Sequence, residues 1–367
     1  MAETLLIPQE PTLLNQLTEQ LSDEMATMGL TIATAEGCTG GDLANTLTIP
    51  GATRVFHVGS IPYSRQAKIE LGVLPQTIDR FGEYAPEVAV EMAQLIQRFR
   101  DDWVGVGITG MYESTGSVAN LALVTREGRT KIKTIDLPPT PRYIQKQLTT
   151  LAALSEVYQL LPHRVASNIP WHVENIRWAT GSLGSSVMDE LYRDELIVST
   201  VQKLQRNKLK IAIMESCTGG LLIDALTSVP GASEVVEGGE VAYDEDVKAK
   251  FKVSLLSMVN GMVYSLRTAR AMAEAKLHRS PMAHLAIGIT GVMENRDTRP
   301  FHEDFEPGTI FVAIARRDGT RRELGFRIPV ASRETIKVAI VRKILAILNS
   351  IVEEVTPVRE ATHHLVS

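Results

Sequence analysis

Both cysteines of this 367-residue chain lie in one phrase, and the phrase occurs twice. Thr31-Ile32-Ala33-Thr34-Ala35-Glu36-Gly37-Cys38-Thr39-Gly40-Gly41 returns as Ile211-Ala212-Ile213-Met214-Glu215-Ser216-Cys217-Thr218-Gly219-Gly220, with serine where the first copy has glycine. Three further matches follow in the same order. Ile49-Pro50-Gly51-Ala52 answers to Val229-Pro230-Gly231-Ala232. The run from Val58 to Tyr63, with Lys68 after it, answers to the run from Gly238 to Tyr243 with Lys248. Gly107-Ile108-Thr109-Gly110 answers to Gly288-Ile289-Thr290-Gly291. Constant order at a nearly constant offset marks the duplication of a whole domain, not a short solenoid repeat.

Each phrase reads as strand, tight turn, helix: an apolar run of strand length, small polar residues and two glycines, then a periodic segment such as Leu221 to Leu226. The first N–H groups of a helix lack partners within it and carry its positive dipole end, so they suit an anion or a developing oxyanion. Ser216 occupies that place in the second copy. Leu13, Leu14, Leu17, Leu21, Met25 and Met28 predict an amphipathic helix over 12–28, and Leu191, Ile197, Val201 and Leu204 predict its counterpart over 187–204. Strands are expected over 55–61 and 235–242, followed by helices capped by Ser64 and Asp244. Helices over 87–100 and 267–277 lead to buried strands over 103–108 and 284–289. Strands over 118–125 and 309–315, hairpin turns at Gly128 and Gly319, and helices over 141–161 and 333–353 close the copies.

Strands alternating with helices imply two tandem α/β sandwich domains, each a mixed sheet flanked by helices. The expected division is a first domain over 1–162, a linker over 163–184, a second domain over 185–355 and a tail over 356–367. Trp171 and Trp178 argue that the linker packs on a surface instead of swinging as a free tether.

A hydrophobic content of 44%, a charged content of 22% and a net charge of −5 describe an ordinary globular chain. They offer no broad electrostatic case for nucleic acid, whose partners show clustered Lys and Arg with a basic balance. Arg316, Arg317, Arg321 and Arg322 flank Asp318-Gly319 and read as the solvated ends of a hairpin. The start Met1-Ala2-Glu3-Thr4 lacks a basic region followed by an apolar core, and no apolar run reaches spanning length, so neither membrane nor leader is expected and a cytoplasmic location is the default. Cys38 and Cys217, at equivalent places in separate copies, are poor candidates to pair with each other and read as small buried residues. The histidines lack the spacing of a metal cluster, and neither a metal nor a cofactor is expected.

The ordered set of Glu215-Ser216-Cys217-Thr218-Gly219-Gly220, Pro230-Gly231-Ala232, Gly238-Gly239, Tyr243 with Lys248, and Thr290-Gly291 resembles the C-terminal domain of the competence- and damage-inducible CinA family. That domain, also found alone, is the nicotinamide mononucleotide deamidase family. The resemblance implies an amidohydrolase that converts the carboxamide to nicotinate mononucleotide and ammonia. It implies Ser216 as nucleophile, with Tyr243 and Lys248 as base and proton relay. A lysine serves as base only where burial or a neighbouring cation disfavours its charge, so Lys248 is expected in a cleft. Cys217, Thr218, Gly219 and Gly220 become candidate oxyanion or phosphate donors, and Thr290 and Gly291 further substrate contacts.

In the first copy Gly37 removes the hydroxyl while Thr39, Tyr63, Lys68 and Thr109 remain, so that site reads as degenerate. The loops after Thr-Gly also depart from the family: Val292-Met293-Glu294-Asn295 with a charged insertion to Glu306 in the second copy, and Met111-Tyr112-Glu113-Ser114 in the first. Family domains commonly self-associate, so the copies are expected to pack as an internal pseudo-dimer, with further homo-oligomers possible and a small nucleotide as substrate or ligand. The alternatives are an inactive nucleotide-binding or regulatory protein, and a purely structural or interaction role.

Overall fold

A computed structural model of the chain describes residues 12–113, 116–162, 186–258, 263–293, 306–329 and 331–354. The expected linker, the tail and most of the charged insertion lie outside the described residues. In the first copy the order is α1 (Leu13–Thr27), β1 (Ile32–Glu36), α2 (Asp42–Leu47), β2 (Phe56–Ile61), α3 (Arg65–Leu71), α4 (Pro75–Phe81), α5 (Pro86–Arg100), β3 (Val104–Met111), β4 (Ser117–Thr125), β5 (Thr130–Leu137) and α6 (Arg142–Leu160). The second continues with α7 (Ser186–Tyr192), α8 (Glu195–Arg206), β6 (Ile211–Glu215), α9 (Leu221–Thr227), β7 (Val236–Ala242), α10 (Glu245–Lys250), α11 (Leu266–Arg279), β8 (Leu285–Gly291), β9 (Thr309–Arg316), β10 (Arg321–Arg327) and α12 (Arg333–Glu354).

Three details differ from the expectations. The helix over 187–204 is two helices, because Asp194 leaves the helical path and its side chain accepts from the Leu196 N–H as cap of α8. Asp244 stands at the cap of α10 without making a side-chain cap bond. Its carboxylate turns instead to Arg100, 3.3 Å away, and His57, 3.5 Å away. A short helix, α4, opens on Pro75, whose fixed φ suits a first helical position; among the described residues of the second copy that region holds a 3-10 turn, Leu255–Ser257.

The two mixed sheets are one. All ten strands join in the order β10-β9-β8-β6-β7-β2-β1-β3-β4-β5. Within each copy the inner strands are parallel and the outer hairpin antiparallel, and the copies meet where β2 runs antiparallel to β7. In that seam Ser60 faces Glu240, its own counterpart in the duplicated phrase. An element that pairs with its own counterpart lies on a two-fold axis, so the seam is an isologous interface made within one chain. The pseudo-dimer is therefore built by sheet extension, which also removes the edges that β2 and β7 would otherwise expose.

Helices cover both faces. Side chains of β1 and β6 are buried along their whole length, as strands covered on two sides must be. On one face α5 lies so close to β3 that a Cβ at Gly107 would come within 2.0 Å of the Ala89 carbonyl oxygen; Gly288 stands in the same relation to Ala269, at 2.1 Å. The glycine opening the Gly-Ile-Thr-Gly phrase is thus required by helix-on-sheet packing.

On the other face the two Gly-Gly turns meet across the axis. Gly40 and Gly219 have φ of +60° and +67°, the left-handed region that glycine enters without strain. A Cβ at Gly40 would also strike the Thr227 Oγ1 at 2.2 Å, and one at Gly219 the Thr48 Oγ1 at 2.0 Å. Behind these turns the closing helices reach across: Lys146 of α6 donates to the Asp224 Oδ1 of α9 at 2.9 Å and to its carbonyl at 2.8 Å, and both side chains are buried. Removing one member of such a pair strands the other in a low-dielectric interior. Lys146→Met is expected to cost about 3–5 kcal/mol of unfolding free energy. The double variant Lys146→Met/Asp224→Asn should cost clearly less than the two single costs added, whereas additive losses in urea unfolding would contradict a coupled seam contact.

Candidate active site

The site in the second copy is assembled from the end of β6, the turn after it, α10 and the start of α12. Glu215, the last residue of β6, is buried, and its carboxylate accepts the N–H groups of Gly220 at 3.1 Å, Leu222 at 3.2 Å and Ile223 at 3.0 Å. It serves as the cap that this helix lacks from its own N-cap residue, Gly220. Burial pushes its carboxyl pKa up, opposed by the Thr218 hydroxyl and these N–H groups. Glu36 does the same for α2, accepting from Gly41, Leu43 and Ala44. The glutamates hold each strand end against its helix start, and the residue between them, Ser216 or Gly37, is presented at the top of the turn.

Ser216 is buried to within 4% of full exclusion, and Lys248 is fully buried. Lys248 Nζ lies 3.1 Å from Ser216 Oγ and 3.1 Å from the Tyr243 carbonyl oxygen. Lys248 is therefore withdrawn from water, and Ser216 and Lys248 are in hydrogen-bond contact. Tyr243 enters through its backbone carbonyl, while its phenol oxygen accepts from Arg333. Arg333 also donates from Nε to the Thr48 carbonyl of the first copy at 2.9 Å. The seam thus fixes the guanidinium that fixes the tyrosine.

The remaining candidates have structural engagements. The Gly219 N–H donates to the Ser216 carbonyl and the Gly220 N–H to Glu215, so neither points at a ligand; both glycines are accounted for by the turn and the seam. The backbone N–H groups of Cys217 and Thr218 donate in none of the turn and loop hydrogen bonds among the described residues. Thr290 is buried, and its hydroxyl donates to the Val263 carbonyl at 3.1 Å. A Cβ at Gly291 would come within 2.5 Å of the Thr309 carbonyl. Burial pushes the thiol of Cys217 up to about 12 and that of Cys38 up to about 11, which removes both as nucleophiles at neutral pH.

The first-copy site is arranged differently. Lys68, also buried, forms an ion pair with Glu83 at 2.7 Å. Glu83 is placed as Val263 is in the second copy, since Thr109 donates to the Glu83 carbonyl as Thr290 does to that of Val263. Tyr63 accepts from Arg142 at 3.2 Å. A small cavity of about 90 Å³ is lined by Gly37, Tyr63, Lys68, Thr109 and Arg142, with Ser233 from the second copy. Where Lys248 meets the Ser216 hydroxyl, Lys68 meets the Glu83 carboxylate.

The model of the CinA C-terminal domain matches residues 14–161 and again 193–352. The chain belongs to the CinA C-terminal domain family. A CinA-like protein of Kosmotoga olearia is 43% identical over 90 residues, covering 24% of this chain and 22% of that protein. The solved structure of the competence/damage inducible protein CihA from Agrobacterium tumefaciens is similar at 28% identity and a TM-score of 0.39, over 46% of this chain and 96% of that one. A CinA superfamily protein from Enterobacter cloacae is similar at 26% identity and a TM-score of 0.37, over 44% of this chain and 99% of that one. The chain spans about a fifth to a third of the length of the curated relatives it matches. No helix among the described residues is long and apolar enough to cross a membrane. Among those residues no group of three or more His, Cys, Asp or Glu side chains is placed to hold a metal ion.

Four residues near the sites were not singled out in the sequence: Arg142 and Lys146, and their counterparts Arg333 and Lys337. The signal was present, since the closing helices carry Arg and Lys four residues apart at the same place in both copies, one turn apart on one face. Lys337 is buried, and its Nζ donates to the Asn45 carbonyl, the Asn45 Oδ1 at 3.0 Å and the Thr48 Oγ1 at 2.6 Å. Burial, with Arg333 nearby, brings its pKa down to about 7 from the ordinary 10.5. Between those values the unfolded chain holds a proton that the folded chain has released, so raising the pH across this window stabilises the fold; below about 7 both states are protonated and the folded state bears the full cost of a buried cation. Urea unfolding of the protein and of Lys337→Met at pH 6.5 and pH 9, roughly spanning that window, is expected to show the wild type gaining on the variant as the pH rises. A difference that stays constant would contradict the depressed lysine.

Proposed function

We propose that the chain is a one-site serine amidohydrolase of the nicotinamide mononucleotide deamidase type, with the second copy catalytic and the first its non-hydrolytic partner. The observation that carries this reading is the 3.1 Å contact of Lys248 Nζ with Ser216 Oγ, both buried, at the turn that leads from β6 into α9. Hydrolysis of an amide calls for a nucleophile, a group to take its proton and donors for the oxyanion, and these three parts are adjacent.

In the proposed reaction neutral Lys248 takes the Ser216 proton as Oγ attacks the carboxamide carbon. The oxygen that becomes negative is received by the Cys217 and Thr218 N–H groups. The C–N bond breaks as Lys248 returns the proton to nitrogen, releasing ammonia and leaving an ester on Ser216. Water, deprotonated by the same lysine, cleaves the ester and frees the carboxylate product, and Lys248 returns that proton to Ser216 Oγ as the serine leaves. Tyr243, held by Arg333, shapes the wall beside Lys248. The first copy cannot follow this course, since Gly37 brings no hydroxyl and Lys68 is held in an ion pair with Glu83.

Ammonia release from nicotinamide mononucleotide tests the reading. The protein is expected to turn the nucleotide over, and Ser216→Ala to lower kcat by roughly a thousandfold or more. Folded protein without turnover would contradict the assignment and favour a binding role.

A further inference from the structure

A second cavity, of about 240 Å³, lies between the copies, several times the ~30 Å³ that a water occupies in the liquid. Its wall joins α2 of the first copy to the start of α12 of the second, with parts of α1, α6 and α7, and it includes none of Ser216, Tyr243 and Lys248. Two buried groups in that wall are incompletely served. Lys337 meets only neutral oxygens, from Asn45 and Thr48, and no carboxylate among the described residues lies within ion-pair distance of it. Gln147, 3% exposed, has an Oε1 that no donor among the described residues reaches.

The pseudo-two-fold axis supplies the comparison. Lys146 is the counterpart of Lys337, and the residue it reaches, Asp224, is the counterpart of Asn45. There the carboxylate stands 2.9 Å from the ammonium. On the cavity side the same position is an amide, and Arg333 lines the wall as a second cation. Of the acids in the wall, Asp42 is buried and its carboxyl is pushed well up by burial and by Asp224, towards the neutral form. Glu19 is exposed and Glu334 half-buried, so water screens their charge.

We propose that this cavity binds a small organic carboxylate carrying an O–H or N–H donor. The carboxylate supplies for Lys337 the planar, singly charged group that Asp224 supplies for Lys146, and the donor satisfies Gln147 Oε1. Because Arg333 also holds Tyr243, occupancy is felt at the candidate active site; the binding itself does not depend on that site being an amidase.

Titration calorimetry of the full chain with lactate, malate, 4-hydroxybenzoate, propionate and inorganic phosphate tests this. At least one hydroxycarboxylate is expected to bind at one site per chain, with propionate, which lacks the donor, about two- to tenfold weaker than lactate. Asn45→Asp, which copies the Asp224 arrangement into the cavity side, should weaken carboxylate binding at least about tenfold while leaving the unliganded protein as stable as wild type or more so. Lys337→Met should weaken it likewise. The absence of saturable binding by every carboxylate, equal binding by Asn45→Asp, or phosphate binding in preference to the carboxylates would overturn the proposal.

Discussion

The antiparallel pairing of β2 with β7 is the contact on which the rest of the molecule depends. It sets one copy's phrase directly against the other's, with Ser60 opposite Glu240, and so fixes the axis about which everything else is arranged. From that axis it follows that the Gly-Gly turns abut, that α2 lies against α9, and that each closing helix reaches the other copy. Lys146 lands on α9, and Lys337 and Arg333 land on the end of α2. Main-chain hydrogen bonds give such a seam its register, and the side chains that cross it give it specificity.

A duplicated interface within one chain is free to become unsymmetrical, and it does so here at two places, one of them matched by a compensating change. Gly37 loses the hydroxyl that Ser216 keeps, and Glu83 answers by pairing with the lysine left behind. Asn45 replaces the acid found at Asp224, and the lysine it leaves without a counter-charge has its charge disfavoured by burial and faces a cavity. A buried cation without a counter-charge is costly, so each change alters the electrostatics of one copy and not of the other. The first copy's remaining contribution to the candidate active site is indirect: the Thr48 carbonyl anchors Arg333, and Arg333 anchors Tyr243.

Much of this was legible in the sequence because apolar periodicity and the repeat act together. The strand and helix order of each copy follows from apolar periodicity around phrases that occur twice, the hairpin turns at Gly128 and Gly319 from their glycines, and the association of Ser216 with Lys248 from the family resemblance. The break at Asp194 did not show, because a polar residue between stripe positions looks the same on a continuous helix face as at a new cap. The Gly-Gly phrase was read as a ligand turn, and its glycines answer equally to Thr48 and Thr227 across the seam; only the packed dimer reveals a neighbour of that kind. Glu36 and Glu215 end apolar strands as charged residues, a sign of a buried acid with partners that the sequence displays but does not explain.

The proposed chemistry rests on one covalent event, the transfer of the acyl group to Ser216. Mass spectrometry of protein quenched in acid during turnover of nicotinamide mononucleotide measures it directly. The account predicts a nicotinate-nucleotide ester on the peptide containing Ser216, absent from the peptide containing Gly37 and Cys38. Turnover with the Ser216 peptide unmodified throughout the time course, or an acyl group on any other residue, would contradict it.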